Sequence, residues 1–356
     1  MKFTNLSEAL TFDDVLLIPQ YSTLMSRSEA DLSWTLDQFK FTVPVIAANM
    51  DKICGDKMMN KMHALGGLGI HHRRCSLEVY KQLRNDWHNP PNFPIAVSVG
   101  ALQNDKERIE WTIQNADIIC IDIAHGDSKH MIDTLDFIRD RNFTNPIIAG
   151  NVCTPEATRC LLEHGATIVK VGIGPGSVCT TRIKTGCGFP QLSAITNCSE
   201  AGPIIADGGI RSPGDIAKAL AAGAKAVMIG GMLAGTDCTP GWDQAMIDYN
   251  ERLAYARQGV SGSTFPEMPL ITYRGMASKE SKADVNQEDI YSEGVSKTIK
   301  CLPTGSTEAV IIDIVSGVKS AMSYSGVHTL KEFTERAKFV RVTSATQIEN
   351  HPHFKD

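Results

Sequence analysis

Residues 203–231 read PIIADGGIRSPGDIAKALAAGAKAVMIGG, and they contain one full period of the pattern from which the chain is built. Pro203, Ile204, Ile205 and Ala206 form a short apolar run that stops at Asp207-Gly208-Gly209. Residues 212–222 then place apolar side chains at helical spacing behind a serine that can cap the first turn. Residues 226–229 are apolar again and stop at Gly230-Gly231. Strand, helix and strand in succession is the unit of a parallel sheet. Working outward, matching runs occur at 43–48, 68–71, 95–99, 118–122, 146–150 and 168–171, which brings the candidate strands to eight. A further helical stretch lies at 155–164. Eight such units predict an α/β fold of the closed (β/α)8 TIM-barrel type, with residues 1–356 as a single domain. An open doubly wound sheet competes, but it needs a glycine fingerprint at its first βα turn and an acidic residue ending its second strand. Neither is visible.

Composition narrows the partner. The formal charge of -5 provides no basic footprint for nucleic acid, and no run of like charge offers a membrane surface a patch. The expected partner is therefore a small molecule, with no nucleic acid and no membrane. Ten cysteines lack paired zinc spacing, and no signal peptide or long apolar span accompanies them. They read as reduced thiols of a cytoplasmic protein, most of them buried, with room for a reactive exception. His71-His72 and His351-Pro352-His353 have no cysteine or carboxylate at a familiar ligand spacing, so a transition-metal site is not expected there.

In a barrel of this type, chemistry sits on the loops after the strands. Asn49-Met50-Asp51, residues 122–128, Gly150-Asn151, residues 172–181, Asp207-Gly208-Gly209 and Gly230-Gly231 all follow candidate strands, which predicts one shared site. Residues 236–305 show little apolar periodicity and read as a long mobile lid, within which Tyr273-Arg274-Gly275-Met276 stands out. Residues 311–325 resume helical spacing and are expected to form the last barrel helix.

The strongest chemical signal is Gly172-Ile173-Gly174-Pro175-Gly176-Ser177-Val178-Cys179-Thr180-Thr181-Arg182. Its glycines free the backbone to turn amides toward a phosphate, or carbonyls toward a monovalent cation. The plain alternative is a Gly-Pro turn beside a buried cysteine. Glycine pairs after the seventh and eighth strands fall where barrels often build a phosphate site. Asp207 can accept from two ribose hydroxyls, because an ionised carboxylate is rich in lone pairs, although Asp-Gly-Gly is also ordinary turn chemistry. Together these features point to a nucleotide monophosphate, with Cys179 as nucleophile. Thr181 can relay a proton, or can merely bond to local backbone.

Through residues 172–182, 205–210 and 228–235 the chain closely resembles the IMP dehydrogenase and GMP reductase family, and the resemblance extends over nearly its whole length. It implies that Cys179 forms a covalent adduct at purine C2. By the same likeness Ser177, Gly209, Gly230, Gly231 and Tyr273 hold the phosphate, and Asp207 takes the ribose. Met276 meets the base, with Gly208, Gly275 and Asn49 as further substrate contacts. Asp122, with Ala124 and Gly172, faces the nicotinamide cofactor, and carbonyls of Gly174, Gly176 and Cys179 hold potassium. A homotetramer is the implied assembly.

The dehydrogenases of this family carry an Arg-Tyr pair in the lid, and between Met276 and Glu293 there is none. Ser292-Glu293-Gly294 resembles the reductase lid, whose glutamate works with the threonine to protonate a departing amine. Residues 22–29, 47–51 and 184–186 match reductases too. About 25 residues separate His71 from the third strand, too few for the regulatory module that most dehydrogenases insert there. The resemblance thus implies GMP reductase activity, the NADPH-dependent deamination of GMP to IMP. The runners-up are an IMP dehydrogenase without that module, a related purine nucleotide reductase, and a nucleotide-binding regulator without catalysis. Against the reductase reading, residues 11–19, Gly235-Thr236 with Pro240-Gly241, and His351-Pro352-His353 look more like dehydrogenases. Ile290 also stands where reductases have an arginine.

Overall fold

A computed structural model describes residues 8–86, 93–258, 265–284, 291–301 and 305–350. Ile290 and His351-Pro352-His353 lie outside the described residues. The eight parallel strands are β1 (Val45–Ala47), β2 (Leu68–Gly69), β3 (Ala96–Val99), β4 (Ile118–Asp122), β5 (Ile147–Val152), β6 (Ile168–Val171), β7 (Ile204–Asp207) and β8 (Ala226–Ile229). They pair in chain order, with β8 beside β1. His71 joins the remaining edges: its N–H donates to Ala96 O at 2.9 Å, and its carbonyl accepts from Ser98 N at 3.0 Å. The sheet is thereby closed into the predicted barrel.

Around it lie α1 (Asp56–Ala64), α2 (Leu77–Asp86), α3 (Leu102–Asn115), α4 (Lys129–Arg139), α5 (Pro155–Glu163), α6 (Gln191–Ser199), α7 (Pro213–Ala221) and α8 (Thr307–Tyr324). The anticipated caps form: the Thr154 and Ser212 hydroxyls accept the amides of Ala157 and Asp215 at 3.3 and 3.2 Å. A proline in each first turn lacks only an N–H that the helix would not use.

Alternation along the strands divides the core in two. Outward residues such as Val45, Ile119, Val169 and Ile204 pack under the helices. Inward residues such as Ile46, Cys120, Ile148, Ile168 and Ile205 fill the barrel together with Trp34, Leu36 and Phe41. Those last three belong to an antiparallel hairpin, Trp34–Leu36 with Phe39–Phe41, that stoppers the amino-terminal end. At the carboxyl end the inward row becomes polar, and Asp122, Lys170 and Asp207 are its members.

Two expectations change in detail. Residues 236–305 are not bare loop: they carry a helix, Trp242–Arg257, a hairpin of Leu270–Arg274 with Ser296–Lys300, and a short helix, Lys279–Ala283. The longer helix buries none of its residues, so it has no apolar stripe to betray it. The last barrel helix starts at Thr307 rather than 311, because the Ser306 hydroxyl and the Asp237 carboxylate satisfy its first amides. Val15–Leu17 also pairs with Phe339–Arg341, joining the two ends of the chain. Among the described residues no helix is long and apolar enough to cross a membrane.

The residue that closes the barrel is also charged. Burial works against the His71 imidazolium, but the Asp56 carboxylate at 3.1 Å outweighs it and brings the pKa up to about 9. A raised folded-state pKa stabilises the fold fully below the ordinary value of 6.5 and loses that contribution as pH climbs through about 9. Asp56→Asn is therefore expected to flatten the fall in Tm between pH 6.5 and 9, as read by thermal melts of both proteins. Parallel melting curves would sink the assignment.

Candidate active site

The carboxyl ends of the strands surround a cavity of about 670 Å³. The candidate catalytic, substrate, cofactor and cation residues named from the sequence line it, including Asn49 after β1, Ala124 after β4, and Gly275 and Met276 from the hairpin segment, whereas Asp51, Gly150, Thr180 and Arg274 do not.

Cys179 lies on the loop after β6. Its Sγ is 3.2 Å from Thr181 Oγ1, which donates in turn to Glu293 Oε2 at 2.9 Å. Thr181 therefore stands between the thiol and the carboxylate rather than bonding locally. Backbone contacts fix this line. The segment that carries Glu293 runs antiparallel to the cysteine loop, with Thr180 N donating to Glu293 O at 2.8 Å and Val295 N to Val178 O at 3.0 Å. The Glu293 carboxylate and the Cys179 thiol are thus aligned by main chain as well as by side chain.

Beside the thiol, Ser177 Oγ and Tyr273 OH meet at 2.9 Å. Burial pushes the Tyr273 phenol up, against the Ser177 hydrogen bond, so it stays a neutral donor at ordinary pH. Gly208 and Gly209 adopt φ of +93° and +77°, and a Cβ on either would approach Pro175 at 3.0–3.1 Å. A Cβ on Gly230 would come within 3.3 Å of the Tyr273 hydroxyl. Side chains at these positions would fill a cradle that amides and hydroxyls now line, a suitable seat for phosphate.

Behind the cradle, Asp207 Oδ2 accepts from Asn151 Nδ2 at 2.8 Å. Gln191 donates to the carbonyls of Val171 and Asp207 at 2.9 and 3.2 Å, tying the ends of β6 and β7 together. Asp122 sits across the barrel. Burial raises its pKa, but Lys170 at 2.9 Å and Arg73 at 3.9 Å outweigh that and hold the carboxyl below its usual range. Sequence reasoning assigned no role to Lys170, Gln191 or Arg73. Lys170 left a signal: it is the one charged residue in Ile168-Val169-Lys170-Val171, at an inward-facing position of the strand.

The expectation that His71-His72 stands apart from other ligand types needs correction. Cys75 lies close enough that the ligand atoms of His71, His72 and Cys75 fall within 4.8 Å of one another, and Asp56 adjoins. Existing contacts already occupy the rings. His71 Nε2 faces Asp56 at 3.1 Å, its Nδ1 faces His72 O at 2.9 Å, and His72 Nδ1 accepts from Arg74 N at 3.1 Å.

A cysteine thiol linked through a threonine hydroxyl to a glutamate, beside a glycine-lined recess at the carboxyl ends of the strands of a (β/α)8 barrel, has the arrangement of an enzyme site. Comparison with known proteins supplies the family. The model of the IMP dehydrogenase / GMP reductase domain matches residues 9–353, and the chain belongs to that family. It is 38% identical to GMP reductase 2 of Bos taurus, over 98% of this chain and 97% of the relative. It is equally 38% identical to a GMP reductase of Shigella boydii, over 94% of each. A solved cysteine-to-alanine variant of GMP reductase from Trypanosoma brucei, in complex with guanosine 5′-monophosphate, superposes with a TM-score of 0.83. That structure is 26% identical and is covered, as this chain is, over 100% of its length.

Proposed function

We propose that this chain is a GMP reductase, an oxidoreductase that converts GMP to IMP and ammonia at the expense of NADPH. The observation that carries the reading is the hydrogen-bonded line from Cys179 through Thr181 to Glu293. With GMP phosphate in the cradle of Ser177, Gly209, Gly230, Gly231 and Tyr273, and its ribose on Asp207, the base extends toward Cys179 and Met276. Cys179 sulfur bonds to C2. The thiol proton passes along Thr181 to Glu293, whose acid form protonates the departing amine, and the C2–N bond breaks. Hydride then enters at C2, the C–S bond breaks, and IMP leaves with the thiolate restored. Overall GMP, NADPH and two protons give IMP, NADP+ and ammonium, so the balance closes.

The nicotinamide cofactor supplies that hydride when bound. The cavity beside Asp122 and Ala124 suits it, since Asp122 is an ionised acceptor for ribose hydroxyls. NADPH is preferred to NADH on the likeness to GMP reductases. A potassium ion would lie on the carbonyls of Gly174, Gly176 and Cys179. The Gly176 oxygen accepts the Cys179 amide at 3.0 Å and keeps a second lone pair for it. In this reading the chain works as one catalytic barrel with no regulatory module between β2 and β3, assembled as a homotetramer. A cytoplasmic location accords with its free cysteines.

The test is product analysis. GMP with NADPH should give IMP and ammonia with loss of reduced-nicotinamide absorbance, faster than with NADH. Formation of XMP from IMP and NAD, with GMP inert, would assign the dehydrogenase reaction instead.

A further inference from the structure

We propose that Lys170 is a positioning residue for both nucleotides: its ammonium is the shared counter-ion that fixes how Asp207 and Asp122 present their carboxylates. The inference rests on the reading above of Asp207 as acceptor for the GMP ribose and Asp122 as acceptor for the cofactor ribose.

Lys170 is 1% exposed, on the inner face of β6. A lysine ammonium removed from water to this degree persists only with anionic partners. It has two, Asp122 Oδ1 at 2.9 Å and Asp207 Oδ2 at 3.5 Å. Burial works against the ammonium, but these carboxylates outweigh it and raise the pKa. Asp207 lies on the adjacent strand, β7, whereas Asp122 lies two strands away on β4.

The intervening strand shows how that reach is made. In the sheet register Asp122 pairs with Gly150 of β5, and Gly150 pairs with Lys170. A Cβ on Gly150 would stand 2.6 Å from Lys170 Cβ and 2.7 Å from its carbonyl oxygen. The missing side chain leaves the lysine stem a path across β5 to Asp122. Gly150 and Lys170 thus form one device, a bare row and the chain laid over it.

The consequence is orientation. Asn151 and Lys170 both contact Asp207 through Oδ2, and neither uses Oδ1. On Asp122 the lysine holds Oδ1, while Arg73 stands 3.9 Å from Oδ2. Asp207 is therefore anchored through Oδ2 and offers Oδ1 to a ligand, while Asp122 is held by the lysine through Oδ1 with Oδ2 turned toward Arg73 and the cavity. Without the ammonium, Asp207 would keep Asn151 and Asp122 would keep Arg73, but the two half-buried carboxylates would lose the cation they share.

The test is calorimetric binding on the full chain, with GMP alone and NADP+ alone as probes. Lys170→Met should weaken both by about tenfold, since each site loses an anchor to a charged group. Asp207→Asn should weaken GMP alone, and Asp122→Asn should weaken NADP+ alone. Placing Lys170→Gln on the Asp207→Asn background should add little further loss for GMP, because the two residues act as a unit. This cycle also serves if Lys170→Met does not fold. A folded Lys170 variant that binds both probes like the parent, or additive losses in the cycle, overturns the proposal. Unchanged GMP binding in Asp207→Asn would instead overturn the ribose reading itself.

Discussion

Cys179→Ala is expected to reduce turnover of GMP by about 10^4-fold or more, the scale seen when a covalent nucleophile is removed from a site that works as a unit. Binding of GMP should change little. The cradle is built from Ser177, Tyr273 and backbone around the glycines, and none of these depends on the sulfur. The measurement is kcat by NADPH oxidation beside Kd for GMP by calorimetry. Turnover within tenfold of the parent would remove Cys179 from the reaction. Loss of GMP binding in parallel with activity would make it a structural residue.

Glu293→Gln is expected to lower kcat by about 10^2 to 10^4, the usual range for a lost general acid. The amide can still accept from Thr181, so the backbone alignment of lid and cysteine loop has no reason to change. The defect should therefore fall on the step that expels ammonia. Rapid mixing with IMP and NADP+ isolates the hydride step run backward, and the burst of NADPH should survive in the variant. An equal loss in both directions would mean that Glu293 shapes the site rather than moving the proton.

The fold was legible because barrel strands are short, apolar and closed by turn residues. Residues 118–122, 168–171 and 226–229 match β4, β6 and β8 at both ends. The cysteine loop was legible for a related reason, since Gly174 holds a φ of +85° and a Cβ there would stand 2.5 Å from the Arg182 side chain. What stayed hidden depends on contacts between distant parts of the chain. Glu293 was placed by resemblance, and its approach to Thr181 requires lid and barrel loop to pair across more than a hundred residues. Lys170 was passed over as part of an apolar run, because its meaning appears only when alternation is combined with the register that sets it beside Gly150 and Ile205, with Asp207 two residues further along β7. The helix Trp242–Arg257 escaped because a surface helix with no buried face leaves no periodic trace.

The covalent bond between Cys179 and purine C2 can be sought directly by acid-quenching the enzyme during turnover of ring-labelled GMP and mapping the label by peptide mass spectrometry. The account predicts a purine nucleotide lacking the 2-amino group on the peptide that contains Cys179. Steady formation of labelled IMP with no label on that peptide at any quench time, and undiminished rates in Cys179→Ala, would contradict it.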